Sequence, residues 1–503
     1  MRRRVDETAE AMRGRVTAGD PAAVWDGAAF DSREVEGGEL FFALPGEATD
    51  GHRFVGAAAA AGAAAAVVHR DVEPAAGTAL IRVGDTYQAL HALARAVRRQ
   101  APDHLVAITG SAGKTTTKEL VAAVLGRRFR VAKNEGNLNN LYGFPLSLLG
   151  IPDDTEWMVA EMGMSSPGEL SQLSRLGRPD AVVFTNVRPV HLEFFGSLHA
   201  IAEAKAELLE GLDPGGLVVA NADDPEVARF VRRHAEAAGG GPGAPRVVWY
   251  GRESPEAQVT AEDVRAEDVR AEDVRAEDVA AGEEAGGWGS RFRLRVDLPA
   301  GLGPGGAAVR GSAEVRLPIQ GTYNVINALA AAACGLALGV PLDEVVRALA
   351  GARPAKGRGE VHRLPGGPVL IDDSYNSNPD AVALALASAA ELAAGRRRTA
   401  VLGDMLELGP EGPRFHREAG ETAAGLGFSP VAGVGELSRE LVAGAEAGGA
   451  EARWFATAAE AAEWAAGALG AGDLVLVKGS RGVGLDAVVA RLLAVPVGTG
   501  EEA

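Results

Sequence analysis

The run TGSAGKTTTKE at residues 109–119 sets two glycines, a lysine and several hydroxyls in an order that can cradle a phosphate. In the common loop, G-x-x-x-x-G-K-[ST], backbone N–H groups wrap the β-phosphate and the lysine neutralises the terminal phosphates. Here only two residues separate the glycines: Gly110, Ser111, Ala112 and Gly113 lead into Lys114, Thr115 and Thr116. The Gly-Lys-Thr end, where the chemistry lies, is intact. Lys114 is expected on the terminal phosphates of a nucleotide, and Thr115 can offer its hydroxyl to Mg²⁺. The apolar LVAITG before the loop reads as a strand and KTTTKELVAAVLGRRF after it as a helix, which points its N-terminal dipole at the anion.

Other chemistry-bearing residues lie downstream. Glu161 ends the apolar strand WMVAEMG, where α/β proteins place ligands. His191 follows the strand DAVVFTNV, and Lys205 comes fourteen residues later in a helix rich in Ala, Glu and Leu. Taken alone, His191 is an ordinary loop histidine and Lys205 a solvated helix charge. In GTYNVIN, Asn324 and Asn327 stand three apart on one helical face, and Asn324 could equally cap that helix. Asn376 and Asn378 in IDDSYNSNP form an Asx-rich turn before Pro379.

The elements that must position these residues fall into three regions. Residues 1–98 mix short strands (ELFFAL, AAAVVH, TALIRV) with Ala-rich helices. Residues 99–350 alternate apolar strands and helices, which implies a largely parallel sheet covered on both faces. Residues 351–503, after the Gly/Pro/Lys-rich GARPAKGRGE, repeat the alternation in PVLIDDS, RTAVLGDM, PVAGVG, RWFAT and DLVLVKGS. The expectation is an α/β chain of three domains, with a small N-terminal unit, a central P-loop domain built on a parallel sheet, and a Rossmann-like C-terminal domain. Residues 261–280, AEDVR three times and then AEDVA, have a five-residue period that suits neither a helical nor a strand face. They are expected as an expanded, solvated surface segment.

Composition narrows the classes further. A formal net charge of −18 argues against nonspecific binding to nucleic acid or an anionic membrane, while leaving room for a local cluster that holds an anionic substrate. The single Cys334, in AAAACGLAL, excludes an internal disulfide and reads as a small buried helix residue. The charged start MRRRVDETAEAMRGR has no apolar signal core, and the Ala-rich runs are too short to span a bilayer. A cytoplasmic protein is expected.

The shortened loop resembles that of the Mur ligases, ATP-dependent enzymes that build the peptide of bacterial peptidoglycan. Five further stretches carry the resemblance: DSREVEGGELFFALPGEATDGHRF (31–54), NEGNLNNLYGFP (134–145), VAEMGMSSPGEL (159–170) with VRPVHLEFFGSLHAIAEAKAELL (187–209), IDDSYNSNPDA (371–381) and VLGDMLELG (401–409). The last two are similar to signatures of the member that adds D-alanyl-D-alanine.

The resemblance implies substrates ATP, UDP-N-acetylmuramoyl-tripeptide and D-alanyl-D-alanine, and a monomer. It implies a UDP-sugar site using Asp31, Ser32, Arg33, Asn137, Asn139 and Asn140, with Arg33 suited to a planar, multi-donor phosphate contact. It implies Mg²⁺ held by Thr115, Glu161, His191 and Lys205, the lysine as a CO₂-derived carbamate. That conversion is physically sensible, since an ammonium would repel Mg²⁺ and a carbamate attracts it. Asn324 and Asn327 would meet the adenine; Arg358, Asp373, Tyr375, Asn376 and Asn378 would grip ribose and phosphates from the third domain, which closes as a lid hinged near 322–326 or 350–358. Tyr323 stands where the family's usual residue is histidine. The rival within the family, the ligase adding a diamino acid at the previous step, carries an Asp-Asn-Pro-Arg motif absent here. A P-loop switch or motor protein would leave the N-terminal region and the His191/Lys205 pair unexplained.

Overall fold

The computed structural model describes residues 2–46, 49–190, 192–241, 243–269, 287–393 and 395–494; His191 and residues 270–280 of the repeat lie outside them. Among the described residues, three main sheets define three α/β domains. The N-terminal sheet has five strands in the order Arg15–Ala18, Ala79–Arg82, Ala65–Val68, Leu40–Phe42, Ala28–Ala29. Helix Thr86–Arg98 covers it through Ala89, Leu90, Leu93, Ala94 and Val97, spaced for one face, and starts at Asp85, whose carboxylate accepts Gln88 N–H.

The central sheet has nine strands. Its heart is parallel: His104–Thr109 lies between Trp157–Glu161 and Ala181–Phe184, with Val131–Lys133, Leu217–Asn221 and Arg246–Tyr250 outside them. Runs such as AVVF and LVVAN are buried at every position because helices cover both faces. Helix Asn324–Ala337 is largely alanine and fully packed, so it approaches helix Lys114–Gly126 closely. A Cβ on Gly335 would stand 2.2 Å from Val124 Cγ1. Cys334 is buried there, which pushes its thiol up to about 12.

An antiparallel extension completes this sheet, formed by Val259–Val269, Gly287–Leu298 and Val309–Leu317. Residues 261–269 of the charged repeat are therefore strand, which corrects the expectation that their period suits no strand face, while Glu262, Asp263 and Arg265 are exposed as a solvated surface segment requires. A bulge reconciles the odd period with a pleat. Between Glu262 and Arg265 the register advances three residues against two on the partner, with Asp263 at φ 55°. One residue is absorbed, so buried Ala261 and half-buried Val264 both turn towards the core.

The C-terminal sheet runs Glu360–Arg363, Val369–Asp373, Leu474–Lys478, Arg398–Gly403, Phe428–Val434, Ala452–Phe455. It is parallel apart from its first, antiparallel edge strand. Trp288, from the central sheet, packs against the apolar core of this domain, and among the described residues its buried indole N–H meets no acceptor.

Candidate functional site

The strand His104–Thr109 ends directly at the glycine loop. Gly110 approaches Thr185 so closely that a Cβ would lie 1.8 Å from its Oγ1; at Gly113, with φ 80°, a Cβ would lie 2.4 Å from Asn327 Oδ1. Both positions demand glycine. The strand-end residues Thr185 and Asn186 brace the loop: Thr185 Oγ1 donates to Ala112 O at 2.7 Å, and Ala112 N–H donates to Asn186 Oδ1 at 2.9 Å. Ser111 N–H donates to Asn186 O, and its hydroxyl bonds the backbone of Arg188. Lys114, Thr115 and Thr116 form the first turn of the helix.

Lys114 Nζ folds back to donate to Gly110 O at 2.9 Å. Desolvation holds its ammonium below the ordinary value, opposed by the Glu161 carboxylate. Thr115 Oγ1 donates to Glu161 Oε2 at 2.7 Å, and Glu161 Oε1 accepts from Asn139 Nδ2 at 2.8 Å. Asn139 therefore faces Glu161, away from Asn137 and Asn140. Asn134, from the same glycine–asparagine segment, straddles the Glu161 backbone, accepting its N–H and donating to its C=O.

Lys205 sits in the helix Leu198–Ala206 and is 3% exposed. Burial first, and the Lys114 charge second, push its amine well below the ordinary lysine range. Among the described residues it forms no hydrogen bond or ion pair, so the solvated-charge reading does not hold for it.

Asn324 and Asn327 are buried, linked by a 2.8 Å bond from Asn327 Nδ2 to Asn324 Oδ1. Asn324 does not cap the helix; its amide donates to Gln320 O. The Tyr323 phenol is kept protonated by desolvation and by nearby Asp373.

The C-terminal domain reaches this site. Arg358 donates to Thr115 Oγ1 at 3.3 Å, Arg188 pairs with Asp380 at 3.6 Å, and Gln320 Nε2 donates to Ser388 Oγ at 2.6 Å. Asp373 and Lys478 end adjacent parallel strands in register, and Lys478 Nζ donates to Asp373 Oδ2 at 2.7 Å and to Asn376 O at 2.9 Å. Tyr375 lies under Arg358, whose guanidinium carbon is 4.3 Å from the ring centre. Asn378 is a helix cap, its Oδ1 accepting from Ala381 N–H ahead of Pro379.

A second cleft, of about 820 Å³, opens between the N-terminal and central domains, lined by Asp31, Ser32, Arg33, Asn137 and Asn140. Arg33 is gripped by the Asp31 carboxylate, which it holds down at about 2. Sequence reasoning missed the apolar platform here, Phe30, Phe54 and Tyr142, which are 37%, 40% and 42% exposed.

A phosphate loop with a carboxylate at its mouth, closed over by a third domain and set beside a second large cleft, defines a nucleotide-dependent enzyme of the P-loop ligase type. The chain belongs to the Mur ligase family. The family's catalytic domain matches residues 26–98, its middle domain residues 108–284 and its glutamate ligase domain residues 357–481. The UDP-N-acetylmuramoyl-tripeptide–D-alanyl-D-alanine ligase of Bacillus subtilis is 33% identical over 99% of this chain and 100% of its own length. The fold is similar to that of MurF from Acinetobacter baumannii, with a TM-score of 0.80 at 29% identity over 98% of this chain and 99% of that one. It is also similar to MurF ligase from Thermotoga maritima in complex with ADP, with a TM-score of 0.72 at 25% identity over 93% and 97%.

Proposed function

We propose that this chain is the ADP-forming amide ligase that joins D-alanyl-D-alanine to UDP-N-acetylmuramoyl-tripeptide in peptidoglycan precursor synthesis, acting in the cytoplasm as a monomer. The observation that carries the reading is the convergence of Lys114, Thr115, Glu161 and Lys205 with Arg358 from the third domain, in a chain similar end to end to relatives of that name. Residues 1–98 hold the UDP-sugar, 99–350 the ATP, and 351–503 close over both. Among the described residues no helix is long and apolar enough to cross a membrane.

Mg²⁺ fits the mouth of the loop, where the Thr115 hydroxyl and Glu161 carboxylate supply hard oxygen donors 2.7 Å apart. Lys205 fits a donor role once its neutral amine adds CO₂ and releases a proton, because its buried nitrogen has no acceptor among the described residues. His191 completes the set we propose. The bound ion supplies Lewis-acid neutralisation of phosphate charge.

The reaction itself has two steps. The terminal carboxylate of the tripeptide attacks the γ-phosphorus, the bond to ADP breaks, and an acyl phosphate forms. The dipeptide amine then attacks the acyl carbon, loses a proton and expels phosphate. Lys114 and Arg358 place positive charge over the phosphates, offsetting repulsion between two anions in the first step. Asn324 and Asn327 meet the adenine; Asp373, Tyr375, Asn376 and Asn378 hold the ribose side; Asp31, Ser32, Arg33, Asn137 and Asn140 face the uridine diphosphate.

The test is phosphate release from ATP, Mg²⁺ and UDP-N-acetylmuramoyl-tripeptide with and without D-alanyl-D-alanine, with mass spectrometry of the product. Release that needs both acceptors and yields the pentapeptide supports the ligase. Release without any acceptor fits a switch or motor and overturns it.

A further inference from the structure

Among the described residues, Arg481 is an exposed arginine without a carboxylate. In a chain with 68 acidic and 50 basic residues, most arginines find an acid, yet among the described residues the Arg481 side chain meets only Tyr375, donating to its hydroxyl at 3.4 Å. It follows the strand Leu474–Lys478, and its backbone is fixed by neighbours. Ser480 N–H donates to Asp404 O at 3.1 Å, and Leu406 N–H donates to Ser480 Oγ at 3.1 Å. Asp404 is itself locked by bonds from Ser438 and Leu437. The GDMLELG turn and the KGSRG turn are thus clamped together, with Arg481 and Leu406 at their shared rim. Leu406 is 44% exposed and lies over Gly482, where a Cβ would stand 3.1 Å from its Cδ1. A cation beside an exposed apolar side chain matches the two ends of an alanine residue, carboxylate and methyl.

A short chain of contacts links these groups to the phosphate loop. Arg358 donates to Thr115 of the phosphate loop, and its guanidinium carbon is 4.3 Å from the Tyr375 ring centre. The Arg481 guanidinium carbon is 5.4 Å from the same centre. Arg358 and Arg481 therefore share Tyr375 as a neighbour, which sets Arg481 near the groups that reach the phosphate loop. An extended chain covers about 3.5 Å per residue, so a dipeptide with its amine at the acyl phosphate carries its carboxylate about 7 Å away.

Resting on the ligase reading above, we propose that Arg481 receives the terminal carboxylate of the incoming D-alanyl-D-alanine, with Leu406 against its last methyl group. A planar guanidinium can grip a carboxylate through two parallel bonds, which a lysine cannot reproduce.

The test compares wild type, R481Q and R481K with D-alanyl-D-alanine and with its C-terminal amide, which lacks the carboxylate. Wild type should disfavour the amide about 100-fold in kcat/KM, the scale for leaving a charged partner unpaired. R481Q should raise the KM for D-alanyl-D-alanine by a similar factor, treat acid and amide alike, and leave the KM values for ATP and the UDP-tripeptide unchanged. R481K should recover only part. Those unchanged values also report that the variants are folded. Discrimination retained in R481Q, or a wild type indifferent to the amide, overturns the proposal while leaving the ligase standing. A wild type that forms no pentapeptide overturns both.

Discussion

Arg358 belongs to the C-terminal domain, yet it hydrogen-bonds Thr115 Oγ1 in the phosphate loop of the central domain at 3.3 Å. Its Nε is buried without an acceptor among the described residues, so the guanidinium has donor capacity left for a ligand. Arg358→Ala should lower kcat/KM for ATP by about 100-fold, and Arg358→Lys should recover little, because a point charge cannot replace a fork of donors. Steady-state kinetics checks both variants.

Glu161 accepts from Thr115 and Asn139 through its two oxygens. Glu161→Gln keeps the shape and removes the charge. Ligation should fall about 1,000-fold, and the Mg²⁺ concentration for half-maximal rate should rise at least about tenfold, since the charge is what holds a divalent ion. A Mg²⁺ titration of phosphate release reads this directly, with melting temperature as the check on folding.

Lys205 gives a pH signature. Its folded amine titrates well below the ordinary 10.5. Between the two values the unfolded chain binds more protons than the folded one, so the stability of the wild type rises with pH across that window. Lys205→Met removes the dependence. In CO₂-free buffer the variant should melt above wild type at pH 7, by a margin that shrinks towards pH 10, while ligase activity is lost. Wild type in ¹³C-bicarbonate should show a carbamate carbon resonance that the variant lacks.

The Asp373–Lys478 pair is 13% and 3% exposed at its side chains. Breaking a buried pair leaves an uncompensated charge, so Lys478→Met should cost about 3–5 kcal/mol, and adding Asp373→Leu should restore most of it. Denaturant melts of the two variants decide the point.

The phosphate loop was legible because strand, loop and helix are contiguous, and so were the buried parallel strands, apolar through most of their length. What the sequence hid depends on long-range pairing. Thr185 and Asn186 brace the loop from 73 or more residues away, and nothing in TNV announces it. Lys478 reads as a strand-end charge until Asp373 appears in register beside it. Asn137, Asn139 and Asn140 are near neighbours, yet only Asn139 turns to Glu161. The repeat at 261–269 defeated periodicity because a bulge changes the count of residues that face the core.

The contact that carries Trp288 from the central sheet onto the C-terminal core makes one of the chain's six tryptophans a built-in optical reporter. With its indole N–H buried and meeting no acceptor among the described residues, separation of the two domains would wet the ring and shift its emission to the red. Each catalytic cycle would then be visible as a fluorescence transient, with no label added.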